Sequence, residues 1–197
     1  AMEAIRIGKD YILMPSDRDG YMHLYLYSQN GKLLRKIGDG KYDITKVYGY
    51  DEKTGDVYYQ AAPLNPHDRQ IMVTRKNGKT VRLTNQEGWN EAIFSGDCKY
   101  FVNTWSDINN PYVYTTRNNQ GKVIATNLDN KELQAKTRQY GWTKNEMFSF
   151  TTSEGVKLDG WMVKPANFDP NKKYPVIMFQ YSGPGSQQVK NAWSAGS

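Results

Sequence analysis

Tyr21-Met22-His23-Leu24-Tyr25-Leu26-Tyr27, followed by Asn30-Gly31-Lys32, is the stretch whose reading decides the fold. One face of the run carries Tyr21, His23, Tyr25 and Tyr27, the other Met22, Leu24 and Leu26. A period of two means a strand, and the glycine turn after it closes a hairpin. The same arrangement recurs twice. Gln70-Ile71-Met72-Val73-Thr74 precedes Asn77-Gly78-Lys79, and Tyr112-Val113-Tyr114-Thr115-Thr116 precedes Gln120-Gly121-Lys122.

A second set of turn glycines, Gly8, Gly55 and Gly96, each precedes a strand-like run: Asp10 to Met14, Asp56 to Gln60 and Lys99 to Asn103. The first set is spaced by 47 and 43 residues, the second by 47 and 41, and the two glycines of a unit stand 23, 23 and 25 apart. Each unit supplies about four short antiparallel strands over roughly 40–50 residues, the size of a propeller blade. The blades are expected over residues 5–37, 43–84 and 89–126. A propeller ring takes about four to eight blades, so three predict a part of a longer ring. An ordinary antiparallel sandwich would not require the internal periodicity.

Composition agrees. Fifteen Tyr and five Trp, with 17 Gly and eight Pro, suit short strands joined by turns. Charged residues are 23% and hydrophobic residues 38% of the chain, which excludes a disordered or membrane-embedded composition. The net charge of +6 is spread over single Lys and Arg residues, so no nucleic-acid partner is expected. No signal peptide is visible, which says nothing about a longer parent. Cys98 is the sole cysteine, predicting a buried structural thiol rather than a disulfide or a Cys-based zinc site. His23 and His67 are the two histidines, and neither has a ligand partner at metal-site spacing. His23 is expected to be packed and hydrogen-bonded, and no metal or cofactor is expected.

The repeat stops after Asn127, dividing the chain into 1–127 and 128–197. Asp129-Asn130 followed by Lys131-Glu132-Leu133-Gln134-Ala135-Lys136 predicts a capped connecting helix. Met147 to Thr151 and Leu158 to Val163, flanking Ser153-Glu154-Gly155, predict a hairpin. The apolar run Tyr174-Pro175-Val176-Ile177-Met178-Phe179 then predicts a strand buried on both faces. It leads into Gln180-Tyr181-Ser182-Gly183-Pro184-Gly185-Ser186-Gln187, a loop at the carboxyl end of that strand, where α/β folds place ligands. Hairpin, buried strand and glycine-rich loop are how an α/β-hydrolase sheet begins. The expected fold is therefore mainly β: a partial propeller followed by the first strands of an α/β-hydrolase domain.

In that fold an oxyanion-hole donor comes from the loop after the third strand, and the serine nucleophile lies later on a Gly-x-Ser-x-Gly elbow. Tyr181 is the candidate donor through its phenolic OH, and the other reading open to it is packing at the sheet edge. No Gly-x-Ser-x-Gly occurs. Ala192-Trp193-Ser194-Ala195-Gly196 is a near miss with Ala where the elbow needs Gly, and no Asp and His follow Ser194 in the order required.

The segment from Lys173 to Gln187 resembles the opening of the catalytic domain in the dipeptidyl peptidase IV family. There Lys-Tyr-Pro precedes a buried strand ending in Tyr-x-Gly-Pro-x-Ser-Gln. Asp19-Gly20-Tyr21-Met22-His23-Leu24-Tyr25 and Asn90-Glu91-Ala92-Ile93-Phe94-Ser95 are similar to blade segments of bacterial members. The resemblance implies a serine peptidase that removes N-terminal dipeptides with Pro or Ala in second position. It also implies an eight-bladed propeller joined to an α/β-hydrolase domain, a homodimer, peptide substrates and a periplasmic or secreted location. By it, Tyr181 is the oxyanion tyrosine. The triad would follow Ser197, the acidic pair that grips the substrate amine would precede Ala1, and the chain alone would be inactive. The competing expectation is a non-catalytic propeller module that binds peptides or proteins.

Overall fold

The computed structural model describes residues 2–181, 183 and 185–193. Among these, twelve strands form three four-stranded antiparallel sheets, each a meander with neighbours in chain order. The first sheet holds β1 (Ile5–Ile7), β2 (Tyr11–Ser16), β3 (His23–Ser28) and β4 (Leu33–Ile37). The second holds β5 (Ile44–Asp51), β6 (Asp56–Ala61), β7 (Gln70–Thr74) and β8 (Thr80–Arg82). The third holds β9 (Trp89–Phe94), β10 (Tyr100–Ser106), β11 (Val113–Asn118) and β12 (Val123–Leu128). These are the three expected blades of a partial β-propeller.

The turns between third and fourth strands are built alike. Gly31, Gly78 and Gly121 have φ of 81°, 88° and 85°, a conformation that costs a residue with a Cβ but not glycine. Their N–H groups donate to the carbonyls of Ser28, Arg75 and Asn118. The other glycine set holds only twice. Gly8 and Gly55 are left-handed, but in the third blade the left-handed residue is Cys98, with φ of 55°, rather than Gly96. Asp97 permits this by accepting from the Lys99 N–H and the Ser95 hydroxyl, which locks the turn locally.

The core lies between blades. Ile7, Leu13, Leu24, Leu26 and Ile37 of the first blade meet Ile44, Val57, Tyr59, Ala61 and Met72 of the second. Tyr58, Ile71, Val73 and Leu83 of the second meet Ala92, Cys98 and Phe101 of the third. Every residue of β6 and β7 is buried, because alternation here sends side chains to one neighbouring blade or the other rather than to core or water. Each such apolar side chain contributes about 1.5–3 kcal/mol. Phe94 stacks on Phe101 at 4.7 Å and tilts against Tyr58 at 4.8 Å, sealing the second interface.

A belt of buried amides crosses the same interface. The Gln60 side chain donates to the Asn90 carbonyl at 2.6 Å, Asn90 Nδ2 to the Arg69 carbonyl at 2.9 Å, and Asn103 Nδ2 to Asn90 Oδ1 at 3.1 Å. His23 is buried as expected, with Nε2 3.0 Å from the Gly40 carbonyl. Cys98 is buried too, and burial raises its thiol pKa.

Beyond the sheets, α1 (Lys131–Gln139) forms where expected. Its capping differs: Asn130 makes no side-chain cap bond and instead donates to the Tyr112 carbonyl, while Asp129 accepts the Lys131 N–H. The expected hairpin is β13 (Asn145–Thr151) and β14 (Lys157–Val163), paired only with each other. The strand expected over Tyr174 to Phe179 is not formed. Val176, Met178 and Phe179 are exposed and Ile177 is 99% exposed. A strand of a parallel sheet bonds to strands on both sides. Among the described residues no strand pairs with this segment, so its backbone joins no ladder.

Candidate functional site

The β6–β7 connection is shaped by Asn65. Its Oδ1 accepts the N–H groups of His67 and Asp68, and its Nδ2 donates to Asp68 Oδ2 at 2.7 Å. This turn sets Asp68 and Arg69 in buried positions at the rim where blades two and three meet. Asp68 Oδ1 accepts the Gly88 N–H, and Arg69 pairs by backbone with Trp89. The Arg69 guanidinium lies 4.4 Å from the centre of the Trp89 ring and donates to the carbonyls of Pro66 and Asp68. Burial lowers its pKa from the ordinary arginine value, with the charges of Asp43 and Asp68 opposing.

Onto this rim comes the chain after Tyr181. Gln187 Oε1 accepts from Arg69 at 2.6 Å, and Gln187 Nε2 donates to the Pro66 carbonyl at 2.7 Å. Four residues on, Asn191 Nδ2 donates to Asp68 Oδ1 at 2.9 Å, its N–H to the His67 carbonyl, and its Oδ1 accepts the Ile108 N–H. The Trp193 N–H donates to the Ser106 hydroxyl, and its ring stacks on Trp142. The β10–β11 loop also holds the hairpin, since Asn109 and Asn145 exchange two hydrogen bonds near 3 Å.

Between rim, hairpin and tail lies a cleft of about 690 Å³, lined among others by Tyr21, Tyr42, Asp43, Arg69, Asp159 and Gln187. At its edge His67 Nδ1 is 3.5 Å from Asp159 Oδ2, and the Ser149 hydroxyl donates to Asp159 Oδ1 at 2.6 Å. The Ser149 hydrogen bond, aided by His67, lowers the Asp159 pKa. A triad places imidazole between serine and carboxylate; here the carboxylate stands in the middle, so neither Ser149 nor His67 is set up for acyl transfer.

Tyr181 is 60% exposed and outside the cleft lining. Its ring folds back over Gly183, where an added Cβ would lie 2.8 Å from a ring carbon, so a side chain at 183 would displace the ring. Ser194 lies outside the described residues, as do Ser182 and Pro184. Among the described residues no group of His, Cys, Asp or Glu is arranged to hold a metal, and no helix is long and apolar enough to cross a membrane.

The structure thus brings together Arg69, Asp68, Gln187 and Asn191, which sequence reasoning did not assign. Asn65-Pro66 is a readable turn signal, and Gln187 closes the quoted loop motif, but the pairing spans 118 residues.

Meander blades packed face to face, with a glycine-rich tail docked on their rim, define a segment of a propeller protein. The family model described as the dipeptidyl peptidase IV (DPP IV) N-terminal region matches residues 2–112, and the chain belongs to that family. Dipeptidyl peptidase 4 of Arthroderma otae is 30% identical over 193 residues, covering 95% of this chain and 25% of the relative. That of Trichophyton rubrum is 28% identical over the same length. The crystal structure of Porphyromonas gingivalis dipeptidyl peptidase 4 superposes with a TM-score of 0.91 at 36% identity, covering 98% of this chain and 27% of that one. The chain spans about a quarter of the length of these relatives.

Proposed function

We propose that the chain is the part of a serine exopeptidase in which late propeller blades, within residues 1–127, meet the start of an α/β-hydrolase domain, within 128–197. The enzyme removes N-terminal dipeptides with Pro or Ala in second position. The observation that carries this reading is the Tyr181-to-Gln187 loop, which matches the family motif and is anchored on the propeller rim by Gln187 and Asn191. The 36% identity to the Porphyromonas enzyme supports it.

In this role the Tyr181 hydroxyl donates to the carbonyl oxygen of the scissile bond as it becomes an oxyanion. A donor fixed in advance at that point stabilises the transition state more than the ground state. Its placement fits: an exposed phenol on a loop holding Gly183 and Gly185, open to a substrate rather than packed in a core. The 197 residues contain no Gly-x-Ser-x-Gly, so by itself the chain has no elbow serine to attack a peptide. Peptides are the substrates, and the enzyme works as a homodimer in the periplasm or cell envelope.

The test is Tyr181→Phe in the peptidase that carries this segment, assayed on a Gly-Pro chromogenic substrate. The expected result is a fall in kcat of about 10²-fold or more with KM little changed, the usual cost of losing an oxyanion donor. An unchanged kcat would return Tyr181 to a packing role.

A further inference from the structure

Arg69 is an unusual residue to bury at a rim. Among the described residues its guanidinium donors meet only the carbonyls of Pro66 and Asp68 and the Gln187 side chain, with no carboxylate as partner. Burying a guanidinium without a counter-ion is costly unless its donors are satisfied. Its own loop satisfies part of the fork, and the Trp89 face covers the plane. The remaining hydrogen-bonded donor, Nη2, is met at 2.6 Å by Gln187, from a segment with no regular structure. Gln187 is itself fully used, since Nε2 donates to the carbonyls of Pro66 and Val189. Lys190 then lies 5.5 Å from the centre of the same Trp89 ring that Arg69 covers.

Five residues separate Gln187 from Tyr181, and two of them are the glycines 183 and 185, with Gly185 at φ of 73°. Such a loop has little stiffness of its own, because glycine surrenders more conformational freedom on ordering than any other residue. Whatever geometry the Tyr181 hydroxyl keeps must be imposed from its ends. Upstream, residues 174–179 form no strand, and 175–179 are exposed. Downstream, Gln187 is the first side chain bonded to the blades among the described residues.

We propose that Arg69 is a positioning residue for the peptidase reaction: through Gln187, the buried guanidinium of blade two tethers the downstream end of the Tyr181 loop to the propeller. This rests on the reading of Tyr181 as the oxyanion donor. Propeller and hydrolase segments are thereby coupled at one polar contact, so that a change in the 65–69 turn is felt at Tyr181 without touching substrate. Asn191 on Asp68 is the second point of the same tether, and it fixes the direction in which the tail leaves the rim.

The test has two arms. In the 197-residue chain, amide hydrogen exchange is read at Asn191 and Trp193, whose N–H groups are held by His67 and Ser106 of the blades. Gln187→Ala speeds exchange there by about tenfold, the loss of one hydrogen bond to a buried charged group, with β6 and β7 unchanged. Arg69→Met does the same, and the double variant adds nothing. Should Arg69→Met unfold blade two, Gln187→Ala, which removes only the tail's side of the contact, still decides. In the longer peptidase, Gln187→Ala lowers kcat about tenfold with KM held, and it lowers nothing further once Tyr181 is Phe.

Unchanged exchange in Gln187→Ala overturns the tether. Equal kcat losses with and without the Tyr181 hydroxyl overturn its action through Tyr181. A Tyr181→Phe variant of undiminished kcat removes the oxyanion reading and with it the positioning role, while the exchange arm still decides whether the tether itself exists.

Discussion

Replacing Asn90 with Ala tests whether the buried amide belt, and not apolar packing alone, holds blades two and three in register. Asn90 is 1% exposed. Its side chain donates to the Arg69 carbonyl at 2.9 Å and accepts from Asn103 Nδ2 at 3.1 Å. Truncation removes these two bonds, with the longer Nδ2 contacts to Gln70 Oε1 and the Gln86 carbonyl, and leaves the Asn103 amide buried with an unmet donor. Each lost bond is worth about 1 kcal/mol net, and the stranded donor adds about 1–2 kcal/mol. The expected loss is therefore about 3–4 kcal/mol, or roughly 6–16 °C in Tm for a chain of this length. Asn103→Ala supplies the contrast. Asn103 Oδ1 is already buried without a partner, so its removal relieves one unsatisfied atom while orphaning another, Asn90 Oδ1. That variant should cost less by about 1–2 kcal/mol. Urea unfolding followed by far-UV circular dichroism at constant m gives both values. A loss below about 1 kcal/mol for Asn90→Ala, or an equal or larger loss for Asn103→Ala, would refute the reasoning.

Two further outcomes follow from single residues. Burial, reinforced by the Lys36 charge and opposed by the Gly40 carbonyl, holds the His23 pKa below its ordinary value. Folded and unfolded chains are both neutral here above about pH 6.5, and below it the unfolded chain takes up the proton first, so stability is lost as pH falls. Urea midpoints at pH 7.5 and 5.5 should fall further for the native chain than for His23→Gln, and parallel falls would remove His23 as the cause. Gly88 has φ of 123°, and a Cβ there would sit 2.4 Å from the Ser106 carbonyl oxygen, whereas Gly78 at φ of 88° has open space. Gly88→Ala should therefore cost at least about 2 kcal/mol and Gly78→Ala about 1 kcal/mol, and thermal melts showing the reverse order would contradict it.

The propeller blades were legible because two local signals repeat together. Alternation over five to seven residues specifies a strand, and a left-handed residue at a fixed offset specifies the turn that returns it. Where a different residue carries the turn, the signal misleads. Gly96 is the glycine in the third unit, but Cys98 holds the left-handed backbone, stabilised by Asp97 in a way that spacing does not announce. The helix N-terminus misleads similarly: Asp129 and Asn130 are both capping types, and only the competing Tyr112 carbonyl decides that Asn130 turns away. The rim site was legible only in pieces, as a turn signal at Asn65-Pro66 and a motif ending in Gln187, and not as a pairing. Arg69 and Gln187 are ordinary surface types, and their meeting depends on where the Asn65 turn and the tail independently end.

The run from Tyr174 to Phe179 shows what apolar patterning does and does not encode. Val57, Tyr58 and Tyr59 on β6 form a shorter apolar run, and there every side chain is buried, because a blade lies on each face and a strand on each edge. In 176–179 the same kind of residues are exposed, Ile177 almost wholly. Hydrophobic burial and ladder hydrogen bonds both belong to the pair of surfaces that meet, so a sequence can state the demand for partners without supplying them. The consequence for Tyr181 is direct. Among the described residues no strand pairs with 174–179, while downstream of Tyr181 the Gln187 side chain is bonded to Arg69 and Pro66, at a rim that belongs to the propeller.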